Sequence, residues 1–150
     1  MKDSLNKLIG HALVQTSILI KVYTIRFYKK LKIDITPEQF VVLSILDDEE
    51  VFHQRELGEI LFKDRANIAR LIKILEKKEL IERTKTADKR LVNKIKLTQK
   101  GLDLKNEIYP MTVNLRQKYL SQIDPEDLKT CLKVLTQIKD NLIDEVKLKI

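Results

Sequence analysis

The 150-residue chain carries 29 Lys and Arg against 22 Asp and Glu, and 43% of it is hydrophobic, enough for one ordinary domain with a real core and too much for a disordered chain. The cationic surplus is local: residues 53–100 hold fourteen Lys or Arg and seven Asp or Glu, whereas the rest hold fifteen of each, so a polyanion or an anionic membrane is the partner class to test. A single cysteine, Cys131, excludes an intrachain disulfide and fits a reducing cytoplasm, and no Cys or His cluster is spaced for a metal, His11 and His53 lying far apart.

In chain order, Leu5, Leu8, Ile9, Ala12, Leu13, Thr16, Leu19, Ile20, Tyr23, Phe27 and Leu31 recur at steps of three and four and predict one long helix. Asn6, His11, Gln15 and Thr16 interrupt its apolar character, so neither a signal peptide nor a membrane-spanning run is expected. "TPEQ" at 36–39 spells a capping box, with Thr36 as cap, Pro37 at the first helical position and Gln39 reaching back. The second helix carries Phe40, Leu43 and Leu46 and ends near the acidic "DDEE". "QRELGEILF" supplies Leu57, Ile60 and Leu61 to a short third helix.

Asp64 caps a fourth helix, whose Ile68, Leu71, Ile72 and Leu75 form an i, i+3, i+4, i+7 stripe. "LIERTK" and "LVNKIKLT" read as two strands joined at "TADK", with Leu91, Ile95 and Leu97 on one face and Val92, Lys94 and Lys96 on the other. Thr98 caps a fifth helix holding Leu102, Ile108, Leu115, Tyr119 and Ile123, with a kink expected at Pro110. "DPED" at 124–127 starts a sixth, striped by Leu128, Leu132, Leu135, Ile138, Leu142 and Val146.

A short helix, an Asp-capped basic helix and a basic hairpin, in that order, predict a mainly α fold with a small β-wing, a winged helix-turn-helix. There the second of the short helices can enter a major groove while the ribbon follows the backbone. Arg65, Asn67, Arg70, Lys73 and Lys77 lie off the buried stripe; they offer charge-assisted donors to phosphate, and Arg or Asn can also meet base edges in pairs of bonds. Arg83, Lys85, Lys89, Arg90, Lys94 and Lys96 make the ribbon a second cationic surface. The plain alternative is a basic face that is merely solvated. The terminal helices carry more apolar stripe than a small winged core can cover, and a homodimer would bury it.

In "LGEIL", "ANIARLIKILEKKELIER", "ADKR" and "KLTQKG" the stretch 57–101 resembles the multiple antibiotic resistance regulator (MarR) family of winged-helix transcription factors, and the order of elements extends the resemblance over the chain. The resemblance implies a homodimeric transcriptional repressor on a pseudo-palindromic operator, with a winged lobe at about 36–100 and dimerising helices at about 1–34 and 101–150. It places Arg65, Ala66, Asn67, Ala69, Arg70 and Lys73 along the recognition helix and adds Arg83, Lys85, Lys89 and Arg90 from the wing, Arg90 at its tip. Asp88 resembles the aspartate that holds the wing arginines. Three positions depart from the family pattern: Glu79 stands where the helix usually ends in glycine, Gly58 where alanine is favoured, and Ala69 where threonine is frequent.

Members of that family often bind phenolic or anionic effectors, for which Tyr23, Arg26, Phe27 and Tyr109 are the candidate cleft residues, plain core being the other reading. Cys131, beside Leu132 in the last helical pattern, is expected as a small buried side chain rather than a redox sensor. No phosphate loop, nucleophile elbow or paired ligand motif suggests catalysis, and no cofactor is expected. A protein-binding or membrane-surface module without specific DNA binding is the rival class.

Overall fold

A computed structural model describes residues 2–46, 52–85 and 91–146. Its elements run α1 (Lys2–Lys30), α2 (Pro37–Ile45), β1 (Phe52–His53), α3 (Gln54–Leu61), α4 (Arg65–Lys77), β2 (Ile81–Lys85), β3 (Leu91–Leu97), α5 (Gln99–Leu120) and α6 (Pro125–Val146). The chain divides into two compact units, Met1–Val41 and Val42–Ile150. The acidic run at 47–50 and the hairpin turn at 86–90 lie outside the described residues.

In the first unit, α1 ends in a left-handed turn at Lys32 (φ 55°), where the Ile33 N–H donates to the Tyr28 carbonyl at 3.0 Å. The expected capping box then opens α2: the Thr36 N–H donates to Gln39 Oε1 at 3.0 Å, and the Gln39 N–H donates to Thr36 Oγ1 at 3.1 Å. Tyr28, Ile35 and Phe40 are buried, and the Tyr28 and Phe40 rings meet edge to face at 6.5 Å. Most of the expected α1 stripe is exposed, and Tyr28, off that stripe, is the buried aromatic. Ser4–Lys30 is also long and apolar enough, by length and composition, to cross a membrane. The polar interruptions break every continuous apolar run, as expected, but do not bring down the average over an 18-residue stretch of the helix.

The second unit holds the winged lobe. Leu57, Ile68, Leu71, Ile72, Leu75, Leu80, Ile81 and Ile95 are buried, and α3 packs on α4, α4 on β2, and α5 on β3. The sheet has the order β1-β3-β2, all antiparallel. The two expected strands are present. β1 was not expected: only Phe52 and His53 pair, with Ile95 and Lys94, and two residues carry no alternation to read. The β2–β3 register is regular from Ile81↔Leu97 to Arg83↔Ile95 and irregular between Arg83 and Lys85, where the ladder slips.

Helix α4 ends in a Schellman turn at Glu79 (φ 59°): the Leu80 N–H donates to the Leu75 carbonyl at 3.0 Å and the Glu79 N–H to the Glu76 carbonyl at 2.8 Å. The left-handed region costs a residue with a Cβ about 1–2 kcal/mol, so the departure from glycine at this position is strained. The Glu79–Lys100 ion pair is largely exposed and offsets little of that. Glu79→Gly is therefore expected to raise stability by up to about 1 kcal/mol once the added freedom of the unfolded chain is subtracted. A lower denaturation midpoint for the variant would show that the ion pair outweighs the strain.

Helix α5 runs unbroken across Pro110, and the nearby Thr112 hydroxyl donates to the Tyr109 carbonyl at 2.8 Å. The Asp124 carboxylate accepts from the Glu126 N–H at 2.7 Å and starts α6 as expected. The α6 stripe is largely exposed, and so is Cys131, contrary to the burial expected of it: among the described residues nothing covers that face of α6.

Candidate nucleic-acid interface

Four buried side chains, Ile68, Leu71, Ile72 and Leu75, fasten α4 to the lobe and thereby decide which residues face out. Arg65, Ala66, Arg70, Lys73 and Lys77 are exposed; Asn67 and Ala69 are half-buried at the edge of the contact. The helix is opened by Asp64, whose Oδ1 accepts from the Asn67 N–H at 2.8 Å while Oδ2 accepts from the Asn67 side chain at 2.6 Å. These bonds, the backbone one first, hold the Asp64 carboxyl below the usual carboxylate range. Arg70 Nη2 in turn donates to Asn67 Oδ1 at 3.0 Å. Arg65, Lys73 and Lys77 form no ion pair with another described residue, so α4 presents cationic charge that no carboxylate among the described residues pairs with.

The ribbon is different. Arg83 Nε donates to Glu76 Oε1 at 2.7 Å in a pair only about a quarter exposed on each side (26% and 28%), which ties β2 to α4. Lys96 pairs across the strands with Glu82 at 2.9 Å. The expected free cationic surface of the ribbon is thus partly committed to glutamates, Glu76 and Glu82, that sequence reading did not single out. Glu82–Lys96 was findable from the strand pairing, whereas Glu76 belongs to another element. Lys94 is half-buried, and Lys85 lies at the end of β2. Asp88, Lys89 and Arg90 lie outside the described residues.

The lobe is clamped at the root of the ribbon. The Thr98 hydroxyl donates to the Glu79 carbonyl at 2.7 Å and accepts from the Gly101 N–H at 3.0 Å, and the Thr98 N–H donates to the Leu80 carbonyl at 3.1 Å. One residue caps α5 and fixes where α4 ends. At the other side of the lobe Lys105 Nζ donates to the Leu46 carbonyl at 2.7 Å, and the Glu56 carboxylate accepts from the His53 N–H at 2.6 Å to start α3. Of the candidate cleft residues, Tyr23 and Arg26 are exposed and Phe27 half-buried in the first unit, its ring edge to face with Tyr28 at 6.3 Å; Tyr109 is exposed in the second.

The MarR family model matches residues 35–92, from the start of α2 to the start of β3. The HTH-type transcriptional regulator SarZ of Staphylococcus saprophyticus is 31% identical over 121 residues, 80% of this chain and 81% of the relative. The chain belongs to the MarR family. SarZ of Staphylococcus haemolyticus agrees, at 29% identity over 136 residues, 89% of this chain and 90% of that one. In three dimensions the chain resembles Staphylococcus aureus MepR in its DNA complex, with a TM-score of 0.75 at 24% identity, covering 89% of this chain and 97% of MepR. Among the MarR-family departures, Gly58 is buried within α3, Ala69 sits half-buried on α4, and Glu79 takes up the left-handed turn.

Proposed function

We propose that this MarR-family chain is a sequence-specific DNA-binding transcriptional regulator, a repressor acting in the cytoplasm as a homodimer on a pseudo-palindromic operator. The observation that carries the reading is α4: a helix fastened by one apolar stripe, with Arg65, Arg70, Lys73 and Lys77 outward and free of carboxylate partners among the described residues. A helix of that kind fits a major groove and gives phosphate its counter-charge. SarZ is a named transcriptional regulator, and MepR, of similar fold, is seen bound to DNA. In this reading residues 36–100 form the DNA-binding lobe, and 1–34 with 101–150 form the dimerising helices. Arg65, Ala66, Asn67, Ala69, Arg70 and Lys73 face the groove. Lys85, Lys89 and Arg90 reach the backbone from the wing, Asp88 holds the wing arginines, and Arg83, paired with Glu76, contributes by keeping the ribbon against α4.

Selection of bound duplexes from a random-sequence pool tests this. A symmetric motif that outcompetes bulk DNA by about a thousandfold or more is expected; uniform recovery of every sequence would overturn the reading. Lys73→Ala should weaken the selected site and bulk DNA alike and flatten the dependence of log affinity on log salt by about 0.9, one phosphate contact's share. An unaltered slope would remove Lys73 from the contact set.

A further inference from the structure

An asparagine that reads adenine uses both ends of its amide, the NH2 toward N7 and the carbonyl toward the N6 amino group. Asn67 has one hydrogen-bonding site at each end of its amide engaged within the protein: Nδ2 donates to Asp64 Oδ2 at 2.6 Å, and Oδ1 accepts from Arg70 Nη2 at 3.0 Å, leaving one N–H and one acceptor position. Its backbone N–H is held as well, by Asp64 Oδ1 at 2.8 Å. Both side-chain bonds involve an ionised partner and are of the stronger kind, so together they fix the orientation of the amide, and turning it toward a base would cost much of what the base contact returned. Arg70, exposed and with one of its five N–H donors engaged among the described residues, keeps the others for a ligand. Asp64, Asn67 and Arg70 follow at steps of three along one edge of α4, so the helix cap itself anchors the relay.

We propose that Asn67 is a positioning residue: it reads no base, and holds the Arg70 guanidinium for a bidentate contact to guanine in each half-site. This rests on the DNA-reading role of α4 given above. Fixing a long side chain in advance removes part of its rotamer entropy from the cost of recognition, which sharpens discrimination more than it strengthens overall binding.

The test is a comparison of base preference, position by position, for the wild-type chain, Asn67→Ala, Arg70→Ala and the double variant, each selected against the same random-sequence duplex pool. Asn67→Ala keeps the Asp64 bond to the backbone N–H, so the helix cap and the fold are retained. Arg70→Ala is expected to lose a guanine preference of about 5- to 100-fold at one base pair per half-site. Asn67→Ala should relax that same base pair to a smaller degree, leave all others unchanged, and add nothing once Arg70 is gone. Relaxation at a different base pair, additive with that of Arg70→Ala, would make Asn67 a reader and overturn the proposal. So would an Asn67→Ala preference identical to wild type, which would leave the regulator reading standing. Failure of the wild-type chain to enrich any sequence would overturn both.

Discussion

Gly101→Ala is expected to cost at least about 3 kcal/mol of stability, the upper part of the range for forcing atoms into a packed site. A Cβ built on Gly101 would lie 1.9 Å from the Leu80 carbonyl oxygen and 2.9 Å from its carbon, and 3.2 Å from Leu97 Cδ2. Two of those atoms are backbone, so no side-chain rotation relieves the clash. The Leu80 carbonyl cannot retreat alone either, because it accepts the Thr98 N–H, and Thr98 also holds the Glu79 carbonyl and caps α5. The clash would be met by pushing α5 away from the root of the ribbon, where α4, β2 and α5 converge. For a chain of this length a loss of that size lowers Tm by roughly 6–12 °C. Denaturant titration of both proteins decides it; a Gly101→Ala midpoint equal to wild type would show that α5 can shift at no cost.

The second large effect is expected at the exposed apolar faces. Leu8 and Leu19 on α1 and Leu132 on α6 expose 66%, 68% and 67% of their surface in the single chain, beside Leu5, Val14, Ile18 and Leu142. So much aliphatic surface on two long helices is more than a stable monomer leaves in water. In the proposed homodimer Leu132→Glu buries a carboxylate with no partner, at a cost of about 3 kcal/mol or more, which weakens association on the order of a hundredfold. Because each winged lobe alone holds one half-site, loss of the dimer should remove most affinity for the full operator. Sedimentation at micromolar concentration reads the first effect and operator binding the second. A Leu132→Glu variant that sediments as wild type would place α6 outside the dimer contact.

Much of the lobe was legible because its determinants are local. The stripe Ile68, Leu71, Ile72 and Leu75 is buried as its spacing predicts, and Asp64, Thr36, Thr98 and Asp124 each bond the N–H groups that their positions suggested. Helix ends were less legible, since glycine, the usual marker, is missing from them. Lys32, Phe62, Glu79 and Gln122 occupy the left-handed region instead, at φ 55°, 50°, 59° and 71°. The ribbon's charge was misjudged for a different reason. The alternation of Lys94 and Lys96 is visible along one strand, but the carboxylates that neutralise Arg83 and Lys96 sit seven residues back on α4 and across the ladder on β2. Cys131 shows the remaining limit. Helical periodicity names the apolar face of α6 but not what covers it, and in the single chain that face is open.

Recognition of a particular duplex sequence by the outward face of α4 underlies each proposed effect on DNA binding. It is tested most directly by titrating the wild-type dimer with its selected duplex and with a scrambled duplex of equal length and composition, each at several salt concentrations. Affinities separated by about three decades or more at physiological salt are expected, both falling with salt because the phosphate contacts are shared. Equal affinity for the two duplexes at every salt concentration would contradict it.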